Sequence, residues 1–266
     1  MEIAATIGVA RSRGVEPRFN ADWPYQPWFS LPDDWFTDDF TGTVDLEKCD
    51  ELAHLDPAER PFAQDRSLWA HCEAEIRRLL RPSLAARKTL NGYTDFWALP
   101  RPVLAVHVRR GDAVQANDLL TPDKWRYHPL RPLSYYQGAI AIQQPGAASI
   151  AVFGDDPTWN RAFIPGDYHH EGVPRPKPHE ADYQTAPILD WIDWFLLASS
   201  GRFVLSNSTF GVMAAWLSGS ESVVVPRPFW GPTLAVYSDA SRMIPVHWRW
   251  LDHPIGPENP IDHPVV

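Results

Sequence analysis

Val103-Leu-Ala-Val-His-Val-Arg-Arg-Gly-Asp112 is the stretch on which the reading of this chain turns. Its first half is an almost uninterrupted apolar run, the pattern of a strand covered on both faces in a parallel sheet. Its second half, His107-Val-Arg-Arg-Gly-Asp112, puts a histidine, two arginines, a glycine and a carboxylate at the carboxyl end of that strand. In open α/β sheets ligands bind at that edge. Paired guanidiniums on a backbone loosened by Gly111 suit a phosphate or diphosphate.

Downstream, helix and strand signals alternate. A helix is predicted over 133–143, with Pro132 at its start. Ser149-Ile-Ala-Val-Phe153 reads as a strand, followed by a loop and a short helix. An apolar helix runs from Pro187 to about Ser199, Arg202-Phe-Val-Leu205 is a strand, 209–217 a helix, and Ser222-Val-Val-Val225 a strand. This order implies a parallel sheet with right-handed crossovers. Upstream the signals are weaker. Glu2 to Arg11 has helical spacing with Gly14 placed as its C-cap, Val15 to Phe19 resembles a strand, and 20–64 is irregular. Asp65 to Arg81 reads as one long helix, with Leu68, Trp69, Cys72, Ile76, Leu79 and Leu80 as its apolar stripe. Glycine and prolines between Asn91 and Pro102 mark a boundary near residue 100. The reading is thus an α/β fold: a smaller irregular α/β domain over 1–100, a parallel Rossmann-like nucleotide-binding domain over 101–245, and a Pro-rich tail over 246–266 that wraps as extended chain.

Two further polar clusters follow predicted strands: Gly154-Asp-Asp-Pro157 and Ser206-Asn-Ser-Thr209. Parallel strands bring both to the same edge as His107–Asp112. Arg109 and Arg110 can neutralise a diphosphate. Ser206, Asn207, Ser208 and Thr209 open a helix, where free N–H groups and hydroxyls cradle anions. Asp155 or Asp156 can accept paired hydrogen bonds from a guanine edge. Taken singly, each cluster has a plainer reading: an Asp–Arg pair in a solvated turn, an N-capping Asp156, a capping serine. It is their coincidence on one edge that sketches a nucleoside-diphosphate site.

Composition narrows the classes. The 266 residues are 44% hydrophobic, enough for a substantial core, and carry a net charge of −9. That field disfavours nucleic acid and anionic surfaces as general partners. Thirteen tryptophans supply large rings for the core, some with faces for sugar stacking. The two cysteines, Cys49 and Cys72, have neither a disulfide framework nor zinc spacing. No run approaches ~20 apolar residues, so no membrane span is expected, and no signal peptide is seen. His169-His170-Glu171 with His179 fits no familiar metal spacing, so no metal site is expected. The expected compartment is the cytoplasm, with peripheral association at an inner membrane left open. The glycosylation sequon at Asn207 and the Arg110-Gly-Asp112 tripeptide are set aside, the latter because it ends a buried strand.

At these residues the chain resembles the α-1,2-fucosyltransferases of bacteria and animals (glycosyltransferase family 11) and, more distantly, the α-1,6- and protein O-fucosyltransferases. The His-x-Arg-Arg-Gly-Asp signature stands at His107–Asp112 and Asp-Asp-Pro at Asp155–Pro157. The segment Leu205-Ser-Asn-Ser-Thr-Phe-Gly-Val-Met-Ala-Ala-Trp-Leu217 is similar to the family's third motif. The helix around Asp193–Leu197, Val223–Pro226 and Phe229-Trp230 also fit. The likeness covers about residues 100–232 and, more weakly, the first 40. It implies a GT-B-like, metal-independent, inverting enzyme with no cofactor. The donor would be GDP-fucose, the acceptor the 2-hydroxyl of a β-galactoside glycan, with residues 1–100 on the acceptor side. It implies Arg109 at the β-phosphate, His107 holding the diphosphate, Asp155 or Asp156 on guanine, and Ser206–Thr209 closing the pocket. Asp112, with Asp118 second, is the candidate base. Members of the family begin with a strand and Gly-Gly-x-Gly-Asn-Gln before the first helix, and this sequence opens at that helix. The expectation drawn is a chain lacking that segment, with the donor site kept and turnover impaired. A non-catalytic nucleotide- or glycan-binding relative and a transferase with another donor are the alternatives.

Overall fold

The computed structural model describes residues 1–38, 64–110, 129–170, 187–235 and 239–253. The chain divides into two compact units, one of residues 1–89 with 237–245 and the other of 90–236 with 246–266.

The larger unit is built on six parallel strands: β3 Val103–Val108, β4 Ser149–Gly154, β5 Tyr168–His169, β6 Arg202–Val204, β7 Val223–Arg227 and β8 Arg249–Asp252. Their spatial order is β5-β4-β3-β6-β7-β8, the doubly wound order in which the sheet grows first one way and then the other from its first strand. All six β3 residues are buried, because β3 is paired along its length with β4 and over Leu104–Val106 with β6. Its alternate residues Leu104, Val106 and Val108 enter one core with Ile150, Val152, Val204 and Val224. Tyr135, Tyr136, Ala139 and Ile140 of helix α5 (Leu133–Gln143) cover that core. The period-2 alternation of a strand sends His107 to the opposite face. The expected α/β class and parallel sheet are found. Two strands were not foreseen: two-residue β5, and β8, which takes the start of the expected extended tail into the sheet.

The other unit is ordered differently. Helix α1 (Glu2–Ser12) buries Ala4, Ala5, Ile7, Val9 and Ala10, and Gly14 past its end has φ +68°, where glycine carries no penalty. Strands β1 (Phe19–Asn20) and β2 (Phe36–Thr37) are two residues each and pair in parallel. Around them Phe19, Phe29 and Phe36 pack against Trp23 with ring centroids 5.7 to 6.3 Å apart. The single helix expected over Asp65–Arg81 is instead two 3₁₀ turns, Arg66–Leu68 and Ala70–Cys72, followed by α2 (Glu73–Leu79). The cause is the close approach of α1. Gly8 lies so near that a Cβ there would stand 2.1 Å from the Leu68 carbonyl oxygen. Trp69 between the turns, at φ −134° and ψ −1°, is fully buried as a result. Helix α3 (Leu84–Leu90) follows α2, and α4 (Thr94–Trp97) already belongs to the larger unit. Among the described residues no helix is long and apolar enough to cross a membrane.

Candidate functional site

In this strand order the switch point lies between β3 and β6, and in open α/β sheets ligands collect outside the carboxyl ends of the strands at that point. The structure brings the first and third polar clusters together there. His107 Nδ1 lies 2.8 Å from Ser206 Oγ, both groups buried. The Ser206 amide donates to the His107 carbonyl at 3.0 Å, continuing the β3–β6 ladder past its last paired residues. Phe210, in the first turn of α8 (Thr209–Ser218), stacks on the His107 ring at 5.7 Å. Gly211 makes this possible, since a Cβ there would meet His107 Nδ1 at 3.0 Å and Cγ at 3.2 Å. His107 is therefore fixed in position and ring orientation by three neighbours: Ser206 just past β6, and Phe210 and Gly211 in α8.

The second cluster is knitted to the first. Arg110 donates its backbone N–H to Asp155 Oδ1 at 2.6 Å and its Nε–H to Asp156 Oδ2 at 3.3 Å. Its guanidinium carbon stands 4.0 Å over the Trp159 ring, a cation–π arrangement. Only 4% of the Arg110 surface is exposed. Burial draws its pKa below the ordinary arginine value, and the bond to Asp156 pulls the other way. Asp156 has a second duty: its Oδ1 accepts from the Trp159 amide at 3.0 Å and caps α6 (Pro157–Phe163). Gly154 beneath it tolerates no side chain, because a Cβ would lie 2.4 Å from the Val108 carbonyl oxygen.

The candidate residues thus sort by what their existing bonds leave for a ligand. Arg109 follows β3 directly and is half-buried. Asp155 is exposed, with Oδ1 bonded to the Arg110 amide. Asp156 and Arg110 bond one another. Ser206, Asn207 and Ser208 are buried, Ser208 is the N-cap of α8 without a side-chain capping bond, and Thr209 is half-buried at its first turn. Asp112 and Asp118 lie outside the described residues, as does His179. Among the described residues no group of three or more His, Cys, Asp or Glu side chains is placed to hold a metal.

Sequence reasoning missed four contributors. Phe210 and Gly211 hold His107, Trp159 underlies Arg110, and the Tyr135 hydroxyl donates to the Leu205 carbonyl at 2.6 Å, fixing the turn after β6. Gly211 was legible in principle: a glycine in the first turn of a helix that packs on a sheet signals close approach.

The described residues thus bring Arg109, His107 and the start of α8 to the carboxyl ends of β3 and β6. Comparison with known proteins agrees with the resemblance read from the motifs. A family model described as Glycosyl transferase family 11 matches residues 85–233, more than half of the chain. No curated protein matches. Among solved structures, POFUT1 in its apo form is 16% identical with a TM-score of 0.40. POFUT1 in complex with GDP-fucose is 16% identical with a TM-score of 0.41. Each match covers 71% of this chain and 62% of the other, so the chain spans less than two thirds of the length of those proteins.

Proposed function

The chain belongs to glycosyl transferase family 11, and we propose that it moves L-fucose from GDP-fucose to the 2-hydroxyl of a β-galactoside, inverting the anomeric carbon without a metal. The observation that carries the donor half is the His107–Ser206 contact across the β3–β6 switch point, with Arg109 beside it. In the proposed reaction the bond between fucose C1 and the β-phosphate oxygen breaks as the acceptor O2 bonds to C1 from the opposite face. Charge develops on the departing GDP, and Arg109 neutralises it. His107, its ring held by Ser206 and Phe210, hydrogen-bonds the diphosphate. Thr209 and the free N–H groups of α8 contribute at the same oxygens. Asp155 reads the guanine edge. The acceptor proton passes to a carboxylate, for which Asp112 is the first candidate and Asp118 the second. In this reading the GT-B arrangement assigns residues 101–245 to the donor and 1–100 to the acceptor, in a cytoplasmic enzyme that can associate peripherally with an inner membrane.

Calorimetric titration with GDP, UDP and ADP tests the donor half. Selective GDP binding is expected, and binding of none of the three would sink the reading. A transfer assay from GDP-fucose to galactosides tests the rest. Arg109→Ala is expected to cost roughly 10²- to 10³-fold in transfer rate, the usual loss for one electrostatic stabiliser. GDP binding without turnover would make the chain a nucleotide-binding relative instead.

A further inference from the structure

Arg131 is the most deeply buried arginine described, 1% exposed, and among the described residues no opposite charge pairs with it. Its Nη2 donates to the carbonyls of Pro228 and Phe229, the latter at 3.4 Å. Among the described residues its Nε and Nη1 have no hydrogen-bond partner. Among the described residues no carboxylate pairs with it, and the side chains that favour its charged form are the phenols of Tyr135 and Tyr136. Burial pulls its pKa down to about 10, which leaves it a cation at neutral pH. A buried cation with three idle N–H bonds is costly unless an anion meets it. Arg110, also buried, shows the contrast: Asp156 and the Trp159 ring match its charge.

The location gives the imbalance a direction. Arg131 precedes Pro132, the N-cap of α5, and α5 starts at the sheet edge where β3 ends. Pro228 and Phe229 follow the carboxyl end of β7. Tyr135, one turn along α5, donates to the carbonyl of Leu205, the residue before Ser206. Arg131 therefore stands at the same edge of the sheet as His107 and Ser206, on the β6–β7 side of the crevice.

We infer that Arg131 is a second anion-binding cation of this edge, whose idle N–H groups take a phosphate oxygen of the nucleotide donor when the Pro228–Phe229 turn lifts. The inference rests on the nucleoside-diphosphate reading of the crevice. It competes with a purely structural account, in which Arg131 only tethers that turn.

The two accounts differ in sign. Arg131→Met removes the charge and keeps most of the volume, and Arg131→Lys keeps the charge with fewer donors. If Arg131 awaits an anion, the Met variant melts no lower than the wild type, and its affinity for GDP and for inorganic pyrophosphate falls roughly 10- to 100-fold, the worth of bonds to an ionised group. Its affinity for guanosine is unchanged, and the Lys variant falls in between. A lower melting temperature in the Met variant with GDP and pyrophosphate affinities within about twofold of wild type, or failure of both variants to fold, overturns the inference. Pyrophosphate separates its fate from that of the donor reading. Arg131-dependent pyrophosphate binding without selectivity among GDP, UDP and ADP upholds this inference and ends the GDP reading. GDP binding indifferent to Arg131 does the reverse. A chain that binds neither ends both.

Discussion

Trp69 and Phe203 are both fully buried, one in each unit, and they reach burial by opposite routes. Phe203 belongs to β6, whose backbone is paired with β3 on one side and β7 on the other. The ladder fixes its direction, and apolar neighbours fill the space it points into. Trp69 belongs to no regular element. The chain leaves helical geometry on both sides of it so that the ring can go inside against α1. In the sheet unit, backbone hydrogen bonding dictates where side chains go. In the α1 unit, the need to bury large rings dictates the backbone.

Two glycines offer the hardest test of this contrast. A Cβ at Gly8 would meet the Leu68 carbonyl oxygen at 2.1 Å and the Trp69 Cα at 2.8 Å, and one at Gly154 would meet the Val108 carbonyl oxygen at 2.4 Å. All three obstacles are backbone atoms and cannot swing aside. Gly8→Ala and Gly154→Ala should each destabilise by about 3 kcal/mol or more, the upper range for overpacking. Hydrogen exchange would locate the loss: in residues 64–80 for the first and along β3 and β4 for the second. Unchanged protection in the mutated unit would break the comparison.

Ser206→Ala is expected to have a middle-sized effect. It removes the partner of a buried imidazole nitrogen and should cost roughly 1–3 kcal/mol. It should also weaken GDP binding by releasing the His107 ring, seen as altered His107 chemical shifts. Wild-type affinity and shifts would mean that Phe210 and Gly211 suffice to orient it.

The smallest effect is electrostatic and lies in the α1 unit. Burial works to raise the pKa of Glu73, but bonds from Arg66 at 2.8 Å and Arg77 at 2.6 Å prevail and hold it below the ordinary value of 4.5. A carboxyl with a depressed folded-state pKa contributes stability above its unfolded value and loses it as pH falls through the folded one. Glu73→Gln should therefore cost up to about 1 kcal/mol at neutral pH, as for a partly exposed pair. The gap from wild type should close in denaturant melts as pH drops below 4.5. A gap constant with pH would show that the bonds act without charge.

The same contrast explains what could be read from the amino acids alone. The central strands β3, β4, β6 and β7 and helices α5, α7 (Pro187–Ala198) and α8 were legible within a residue or two, because continuous apolar runs bounded by proline, glycine and polar residues permit few other solutions. Strands β5 and β8 were not, since two and four residues at a sheet margin carry no periodicity. Asp65–Arg81 failed for a deeper reason. Its helical spacing is real, but close contact with Gly8 outweighs local preference, and such contacts cannot be read from a window of sequence. At the site, the edge itself was legible, yet the partnerships were not. That His107 meets Ser206 follows from strand order, and that Arg110 turns toward Asp156 follows from the position of Trp159. Arg131 carried no signal beyond standing before a helix-starting proline.

The central place of β3 has a consequence for how the chain comes into being. Both neighbours of β3 are encoded after it: β4 begins at Ser149 and β6 only at Arg202. At ordinary rates of translation, the ~100 residues between β3 and β6 take about 5 to 20 s to synthesise. Until β4 is made both flanks of this mostly apolar six-residue segment are open, and the β6 flank stays open to the end of that interval. The strand that organises the finished sheet is thus a sticky surface of the nascent chain for many seconds, and a step at which chaperones would have work to do.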